Sequence, residues 1–239
     1  MAHITFDHIA IALPRLAAAP AVLVGELGGT PYFGMTSEFF RFGQWRFEGG
    51  GRIEVLEPHG EDGFLHRFLA QHGPGIHHVT FKVPSLRDAC DRAESLGYGI
   101  VGYKDVHPEW KEAFLHPRQA MGIVVQLAQS TQQEERMPWQ APAGPANPPP
   151  AVTILGLRLR ARDRARARVQ WQGVLQGTEV DHGDALIYRW PGSPLRIAVE
   201  IDAEGKEGPV GIEYAGSRPT AADPALRVLG TVFIERPPR

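Results

Sequence analysis

The chain has 239 residues, of which 43% are apolar and 22% are charged, and its formal net charge is −2. This composition is typical of a globular protein with one or two domains. The near-neutral charge gives no electrostatic basis for binding nucleic acid or an anionic membrane, and no apolar run approaches the ~20 residues of a membrane span. The single cysteine excludes an internal disulfide. Because the N-terminus is patterned as a strand and not as a signal peptide, we expect a cytoplasmic protein that binds a small molecule.

A histidine-led strand occurs twice in the chain. The stretch "HIAIALPRL" begins at His8, and the stretch "HVTFKVPSL" begins at His78. In each, the histidine opens an alternating apolar run that reaches a proline and then a leucine at the same spacing. Alternation of this kind predicts a half-buried strand. The chain therefore contains an internal repeat.

Each of these strands is followed by a predicted helix and then by further strands. The helical segments are 16–29 and 85–97, and the second has a capping box that starts at Ser85. The glycine triplet within 38–58 predicts a hairpin in the first half. The corresponding strand-like runs of the second half are 99–105, 111–117 and 122–129. Each half is therefore predicted to have the order β-α-β-β-β.

A proline-rich segment, residues 131–151, predicts a linker because proline disfavours both helix and central strand. Beyond it, residues 154–177 repeat the order strand, helix, glycine, and residues 185–202 predict another hairpin. A fourth copy begins near residue 208. It is abbreviated, since residues 221–237 have room for one short helix and one strand.

Four polar residues occupy matching places in the two halves of the first 130 residues. His8 and His78 open their strands, whereas Glu54 in "RIEVLEP" and Gln126 in "IVVQLAQ" lie inside apolar strands, where an unpaired polar side chain is costly. If the halves pack about a pseudo-twofold axis, the two imidazoles converge in one cavity. Two histidines, a glutamate and an amide oxygen suit a divalent metal such as Zn, Mn, Co, Ni or Fe.

The domain prediction follows from these residues. It consists of a metal-binding domain at 1–130, the linker at 131–151 and a degenerate copy at 152–239. The copy has Ile154 and Val210 where the earlier strands begin with histidine, so it is predicted to hold no metal. We expect it to cover a sheet edge or face of the first domain, or of a neighbouring subunit in a homodimer.

Other conspicuous residues have simpler explanations. Cys90 lies on the apolar stripe of its helix and is predicted to be part of the core. The basic run at 158–168 alternates with alanine and leucine and lacks aromatic residues, which favours a solvated helix face over a nucleic-acid surface. His77 is predicted to face the opposite side of its strand from His78, and His182 to lie in a turn.

The motifs "HIAIAL", "RIEVLEP", "GIHHVTFKV", "FLHP" and "GIVVQLAQ" together resemble the vicinal-oxygen-chelate superfamily. This superfamily includes glyoxalase I, bleomycin-resistance proteins, extradiol dioxygenases and methylmalonyl-CoA epimerase, and the chain is most similar to the epimerase over roughly residues 3–130. The resemblance implies an α+β fold in which paired βαβββ modules form a cup-shaped sheet around a metal. It implies that the metal ligands are His8, Glu54, His78 and Gln126.

The chain departs from the epimerase at two positions. The position matched by Gln126 is a glutamate in the epimerase, and a second glutamate of the epimerase lies on the strand that here offers Gln44 and Arg46. A neutral amide cannot act as a general base, so both members of the two-carboxylate proton shuttle are missing. The departure predicts that the chain does not exchange the α-proton of methylmalonyl-CoA. The residues left as catalytic candidates are Glu48, Glu54 and His116.

These observations leave two main hypotheses for the function. The first is a metal-dependent isomerase or lyase that acts on a small carbonyl metabolite or a CoA thioester through an enolate-like intermediate. The second is a non-catalytic protein that binds a small molecule or drug, as bleomycin-resistance proteins do. A third hypothesis, an interaction scaffold that retains only the fold, remains open.

Overall fold

The computed structural model describes residues 3–131, 139–181, 185–216 and 225–237. Within these ranges the chain has an α+β fold with two mixed sheets, one of eight and one of seven strands. This confirms the fold class predicted from the repeats. The strands of the first sheet are β1 (Thr5–Ala12), β2 (Thr30–Thr36), β3 (Phe40–Arg46), β4 (Arg52–Pro58), β5 (Gly75–Lys82), β6 (Ile100–Lys104), β7 (Trp110–Leu115) and β8 (Val124–Ser130).

The first sheet contains the two predicted halves side by side. Its strand order is β2-β3-β4-β1-β5-β8-β7-β6, so the two histidine-led strands, β1 and β5, are neighbours. β1 pairs in parallel with β4, and β5 pairs in parallel with β8. The predicted hairpin joins β3 to β4, and Gly49 and Gly50 have φ angles of 71° and 90° in its turn. Glycine accommodates such positive φ angles without steric cost.

The helices are short. They are α1 (Ala19–Leu23), which follows a 3₁₀ turn at Leu16–Ala18, α2 (Phe64–His72), α3 (Leu86–Ser95) and α4 (Arg164–Arg168), which continues into a π-helical turn at Val169–Val174. The predicted cap of α3 is present, because the Ser85 hydroxyl accepts a hydrogen bond from the Asp88 amide at 3.2 Å. No helix among the described residues is long and apolar enough to cross a bilayer.

The second sheet repeats the strand order of the first with one edge strand fewer. The order is β10-β11-β12-β9-β13-β15-β14. The fourth copy differs from the prediction, because its last described residues form a hairpin of two strands and not a helix with one strand. The strands are β9 (Thr153–Ala161), β10 (Thr178–Asp181), β11 (Leu186–Arg189), β12 (Arg196–Ile201), β13 (Gly208–Ala215), β14 (Ala225–Val228) and β15 (Thr231–Glu235).

The basic run at 158–168 is only partly a helix face. Its first residues belong to β9, and the side chain of Arg158 is buried and paired with Glu200 at 3.1 Å. Arg166 and Arg168 lie at the surface in ion pairs with Glu207 and Glu179. The prediction of a solvated face is therefore correct for α4 and wrong for the strand that precedes it.

The contacts of the chain gather it into two compact units. One consists of residues 1–8, 78–132 and 156–210, and the other of residues 9–77, 133–155 and 211–239. Each unit takes residues from before and after the proline-rich segment. The division into domains at 1–130 and 152–239, with a linker at 131–151, therefore stays a prediction.

The first unit has an aromatic core. The rings of Phe6 and Phe81 stack with centroids 4.8 Å apart, and the ring of Trp190 lies edge-on to both. The ring centroids of Trp171, in the π-helical turn, and Trp190 are 6.4 Å apart. The indole nitrogen of Trp190 donates a hydrogen bond to the Leu175 carbonyl at 2.6 Å. All four rings are buried. Because Phe6 and Phe81 belong to the first sheet, residues after the proline-rich segment complete a core that begins before it.

Cys90 belongs to this unit and is buried on α3, as predicted. Burial, together with the nearby carboxylates of Glu94 and Asp91, raises the pKa of its thiol to about 11. A thiol with so high a pKa carries little thiolate near neutral pH, which agrees with a structural role.

The second unit is packed around the other half of the first sheet. Ala10, Ala12 and Leu56 form an apolar cluster with Leu65 of α2. From the proline-rich segment, Trp139 lies against Gly34 and Gly43, where any Cβ would meet its ring. Its ring is also 5.7 Å from that of the buried Trp45. The segment is thus anchored by an aromatic side chain, although residues 139–151 form no regular element.

Candidate metal centre

Three of the four predicted ligands come together in the first sheet. His8 on β1, Glu54 on β4 and His78 on β5 each offer one ligand atom, and these atoms lie within 4.8 Å of one another. All three side chains are buried. The strands that carry them are adjacent in the order β4-β1-β5, which explains how residues distant in sequence meet.

The two histidines form the centre of this group. Their ring centroids are 5.9 Å apart and the rings are inclined by 68°. The matching positions of His8 and His78 at the start of their repeats were the signal in the sequence. Because side chains alternate between the two faces of a sheet, adjacent strands can present such residues to each other on one face.

A carboxylate fixes the orientation of His8. The Nδ1 atom of His8 lies 2.7 Å from Oδ2 of Asp7, and both side chains are buried. With Nδ1 held by Asp7, Nε2 is the ring nitrogen that is available as a ligand atom. A carboxylate bound to the second nitrogen of a metal-binding histidine is a usual arrangement, because it sets the tautomer and raises ligand basicity. The sequence analysis did not identify Asp7 in this role.

Thr80 links His8 to Gln126. Its hydroxyl oxygen lies 3.0 Å from Nε2 of His8 and donates a hydrogen bond to Oε1 of Gln126 at 2.6 Å. Gln126 itself is buried on β8, opposite Thr80 in the parallel pair with β5. The fourth predicted ligand is thus connected to His8 through one hydroxyl group.

Glu54 is oriented by an amide on the neighbouring strand. Gln44 of β3 lies directly opposite Glu54 in the antiparallel pair and donates from Nε2 to Oε2 of the carboxylate at 2.9 Å. The Oε1 atom of Gln44 accepts from the guanidinium of Arg52 at 3.3 Å. Because the Arg52 donor fixes which end of the amide faces the carboxylate, the orientation of Glu54 is well defined.

Glu112 of β7 is a residue that the sequence analysis missed. Its Oε2 atom accepts hydrogen bonds from Nε2 of Gln126 at 2.9 Å and from the indole of Trp110 at 3.0 Å. The signal in the sequence is weak, because Glu112 lies in the half-exposed run "WKEAFL" and resembles an ordinary surface residue of an amphipathic strand.

The other catalytic candidates lie outside the His8, Glu54 and His78 group. Glu48 is exposed and forms an isolated bridge with Thr153. His116 is exposed as well, and its Nδ1 atom accepts from the Arg118 amide at 3.1 Å.

His77, next to His78, contacts phenylalanines of α2. Its ring centroid lies 5.5 Å from that of Phe64 and 4.8 Å from that of Phe68. Burial lowers the pKa of His77 to about 4 against the opposing effect of Glu54, so the ring is neutral near neutral pH. His182 lies outside the described residues.

The residues fit a divalent metal. Two imidazoles and one carboxylate are the donor types that Zn, Mn, Co, Ni and Fe accept. Ligands bound at about 2.1 Å are about 3–4 Å from one another, so donors within 4.8 Å need only a small closing movement. His8 and His78 would bind through imidazole nitrogen, Glu54 through carboxylate oxygen and Gln126 through its amide oxygen.

The second sheet has small residues where the first has ligands. β12 reads "RIAV" where β4 reads "RIEV", so Ala198 stands in the place of Glu54. The parallel register of β12 with β9 matches that of β4 with β1, and it puts Gly156 in the place of His8. Gly156 has a φ of 143°, and a Cβ there would meet the backbone of Arg196.

The remaining two ligand positions are also apolar in the second sheet. β5 and β13 both begin with a glycine of positive φ and have the same burial pattern after their third residue. This alignment puts Gly211 in the place of His78 and, through the pairing with β15, Ile234 in the place of Gln126. Glycines, and not the predicted Ile154 and Val210, therefore replace the histidines. Among the described residues, His8, Glu54 and His78 form the one group of three or more potential imidazole, thiolate or carboxylate ligands.

The chain is similar in sequence to known proteins. The sequence profile of the Glyoxalase/Bleomycin resistance protein/Dioxygenase superfamily matches residues 7–114. The ethylmalonyl-CoA/methylmalonyl-CoA epimerase of Cereibacter sphaeroides is 31% identical over 134 residues, which cover 52% of this chain and 96% of the epimerase. The chain belongs to this superfamily. The predicted membership is therefore confirmed, and epimerases are among the relatives of this glyoxalase-superfamily protein.

Two solved structures extend the likeness over the second sheet. A hypothetical protein from Staphylococcus aureus has a TM-score of 0.65 and covers 98% of this chain and 99% of its own, at 12% identity. A mutant of 4-hydroxymandelate synthase from Streptomyces coelicolor has a TM-score of 0.64 and covers 91% of this chain and 72% of its own, at 14% identity. At such identities the likeness shows the fold alone. Both solved structures therefore share the fold of this chain over most of its length.

Proposed function

We propose that this glyoxalase-superfamily protein is a metal-dependent isomerase or lyase that acts on a small carbonyl metabolite or a CoA thioester through an enolate-like intermediate. The observation that carries the proposal is the buried group formed by His8, Glu54 and His78. A divalent metal bound there would act as a Lewis acid, stabilising negative charge that develops on a carbonyl oxygen. The CoA thioester option is supported by the name of the epimerase from Cereibacter sphaeroides.

The proposed roles of the ligands follow from their contacts. Asp7 holds His8 with Nε2 toward the site, and Gln44 holds the carboxylate of Glu54. Glu54 provides the anionic ligand, while Gln126 adds a neutral amide oxygen. Because these side chains are held by hydrogen bonds in the free protein, the ligand set needs little reorganisation when it binds its ion.

The proton acceptor is proposed to be a carboxylate. The amides of Gln44 and Gln126 have no basic site near neutral pH. Each of them, however, is held at 2.9 Å by a carboxylate, Gln44 by Glu54 and Gln126 by Glu112. Proton acceptance at a carbon next to a carbonyl therefore falls to Glu54 or Glu112. Glu48 and His116 are less suitable, since both are exposed and neither contacts the ligand group in the described structure.

The test measures metal content and α-proton exchange together. Purified protein is depleted of metal, reloaded separately with Zn²⁺, Mn²⁺ and Co²⁺, and incubated in deuterated water with small 2-oxo acids, 2-hydroxy acids and acyl-CoA thioesters. Mass spectrometry then detects deuterium at the α-carbon. We expect metal-dependent exchange with at least one class and none with methylmalonyl-CoA, and we expect His78→Ala to abolish it. Exchange with methylmalonyl-CoA at a catalytic rate would show that another base has taken over.

The alternative function is a non-catalytic binding protein of the bleomycin-resistance type. The amide at position 126 and the lack of any Asp or Glu on β3 favour it, because the epimerase chemistry described above requires a carboxylate at each place. In the same experiment, saturable binding of a compound without deuterium exchange under any metal would support this alternative and contradict the enzyme proposal.

A further inference from the structure

The two halves of the first sheet each contain one amide bonded to one carboxylate, but in opposite order. In the first half the amide is Gln44 on β3 and the carboxylate is Glu54 on β4. In the second half the carboxylate is Glu112 on β7 and the amide is Gln126 on β8. Both bonds are 2.9 Å long. The carboxylate thus belongs to the ligand group in one half, whereas in the other half the amide is the side chain that Thr80 connects to that group.

The position of Glu112 is determined by groups other than Gln126. Its Oε2 atom accepts from the indole nitrogen of Trp110 at 3.0 Å, and its Oε1 atom lies 3.9 Å from the ammonium of Lys104. The Lys104 contact is exposed and weak, but the indole donor is short and half-buried. Glu112 is therefore a fixed acceptor against which the amide of Gln126 is oriented.

The chemistry of these groups decides which end of the Gln126 amide faces which neighbour. An ionised carboxylate only accepts hydrogen bonds, so the atom next to Glu112 is Nε2, and Oε1 is turned to Thr80. Thr80 in turn lies 3.0 Å from Nε2 of His8. An amide reversed by half a turn would set its oxygen against the oxygen of Glu112 and lose that bond, whereas the Thr80 hydroxyl could accept from the reversed NH2 group.

We propose that Glu112 is the positioning residue that makes Gln126 an oxygen ligand, and that its carboxylate is the reason why position 126 holds an amide and not a second carboxylate. A glutamate at position 126 would set two carboxylates at the 2.9 Å distance of the present bond. Like charges at this distance repel strongly where water is largely excluded. The inference rests on the proposed metal group, and it extends that group by one residue.

The test is a double-mutant cycle built from Glu112→Gln and Gln126→Glu. The single change Q126E loses the donor to Glu112 and adds a repelling charge, so it lowers both thermal stability and Mn²⁺ affinity. The double variant restores the pair in reversed order, with the amide of the residue at 112 donating to the new carboxylate. We expect it to recover the melting temperature and to bind Mn²⁺ at least as tightly as the natural protein, because the ligand is now anionic.

A third variant removes the acceptor altogether. Glu112→Ala leaves the Gln126 amide without its carboxylate partner, and loss of such an outer partner typically weakens metal binding about 10- to 100-fold. Glu109→Ala is the matched control, since it removes an exposed carboxylate from the same stretch of chain. Electron paramagnetic resonance measures the affinity for Mn²⁺. The visible absorption of the protein loaded with Co²⁺ reports the coordination geometry of the metal. Both readouts are independent of catalytic activity.

The outcomes separate this inference from the proposed function. If the natural protein binds Mn²⁺ and the two substitutions of the cycle are additive in affinity and stability, the role of Glu112 is refuted while the metal group stands. Equal Mn²⁺ affinity of E112A and E109A would refute that role as well. If the natural protein binds none of the metals tested, the proposed function fails, and the inference fails with it. Rescue in the double variant supports the role of Glu112 directly.

Discussion

The two sheets of this protein have nearly the same strand order but differ in what their strands carry. In the first sheet, the positions around β1, β4, β5 and β8 hold His8, Glu54, His78 and Gln126, all buried. In the second, the same positions hold Gly156, Ala198, Gly211 and Ile234. The strand framework therefore forms without these four polar side chains, which implies that apolar burial maintains the fold.

The backbone of the second sheet also leaves little room for larger side chains at two of these positions. Its glycines are not merely small, because the φ of 143° at Gly156 is unfavourable for any residue with a Cβ. A Cβ at Gly156 would meet the backbone of Arg196, and one at Gly211 would meet the carbonyl of Val232. Neither position therefore has room for an imidazole side chain unless the neighbouring backbone moves.

The largest loss of stability is expected in the aromatic core, to which residues before and after the proline-rich segment contribute. Trp190 lies after the linker but packs on Phe6 and Phe81 of the first sheet. We expect Trp190→Ala to reduce the free energy of unfolding by about 3–5 kcal/mol, the usual range for removing a buried aromatic side chain. Chemical denaturation monitored by circular dichroism measures it.

Val180→Ala is the control for this variant, because it removes an exposed apolar side chain after the linker and should change stability little. Metal stoichiometry should be unchanged in both. A loss of only a few tenths of a kcal/mol in W190A would mean that the first sheet folds independently of the residues after the linker, as the domain division at 1–130 and 152–239 supposes.

A smaller loss of stability is expected for Gly156→Ala. Replacing this glycine by alanine requires a backbone conformation that costs about 1–3 kcal/mol in residues other than glycine, and the new Cβ would also meet Arg196. Gly50→Ala is the matched control, because Gly50 has a φ of 90° but open space around it. Thermal unfolding measures the melting temperatures of G156A and G50A. If G156A were no less stable than G50A, steric closure would not explain the absence of ligands from the second sheet.

The sequence predicted the clustering of His8, Glu54 and His78 better than the contacts around them. The repeated positions of His8 and His78 were visible because strand periodicity and a following proline mark the same place in both copies. Asp7, Thr80 and Glu112 were not identified. Each lies in an ordinary amphipathic pattern, and its role depends on cross-strand neighbours that only the pairing of β1, β5, β7 and β8 brings close.

Two features of the fold were also missed, for physical reasons. The helix α2 was not predicted, although five of its nine residues are apolar, because a glycine flanks it on each side and no side chain caps its N-terminus, as in a stretch that resembles a loop. In the second sheet, the aligned residues were placed at Ile154 and Val210 because apolar alternation alone leaves the register uncertain by a residue or two. Glycine conformation and strand pairing settle the register at Gly156 and Gly211.

The most direct test of the account is a metal titration of the natural protein beside His8→Ala, His78→Ala and Glu54→Gln. Equilibrium dialysis followed by elemental analysis measures stoichiometry and affinity, and circular dichroism checks the fold. We expect about one ion per natural chain, the occupancy of a single site with a buried ligand set. We expect no binding in either histidine variant and weaker binding in E54Q, which loses the anionic ligand, with the fold retained in all three. Unchanged affinity in all three variants would contradict the assignment of His8, Glu54 and His78 as a metal centre.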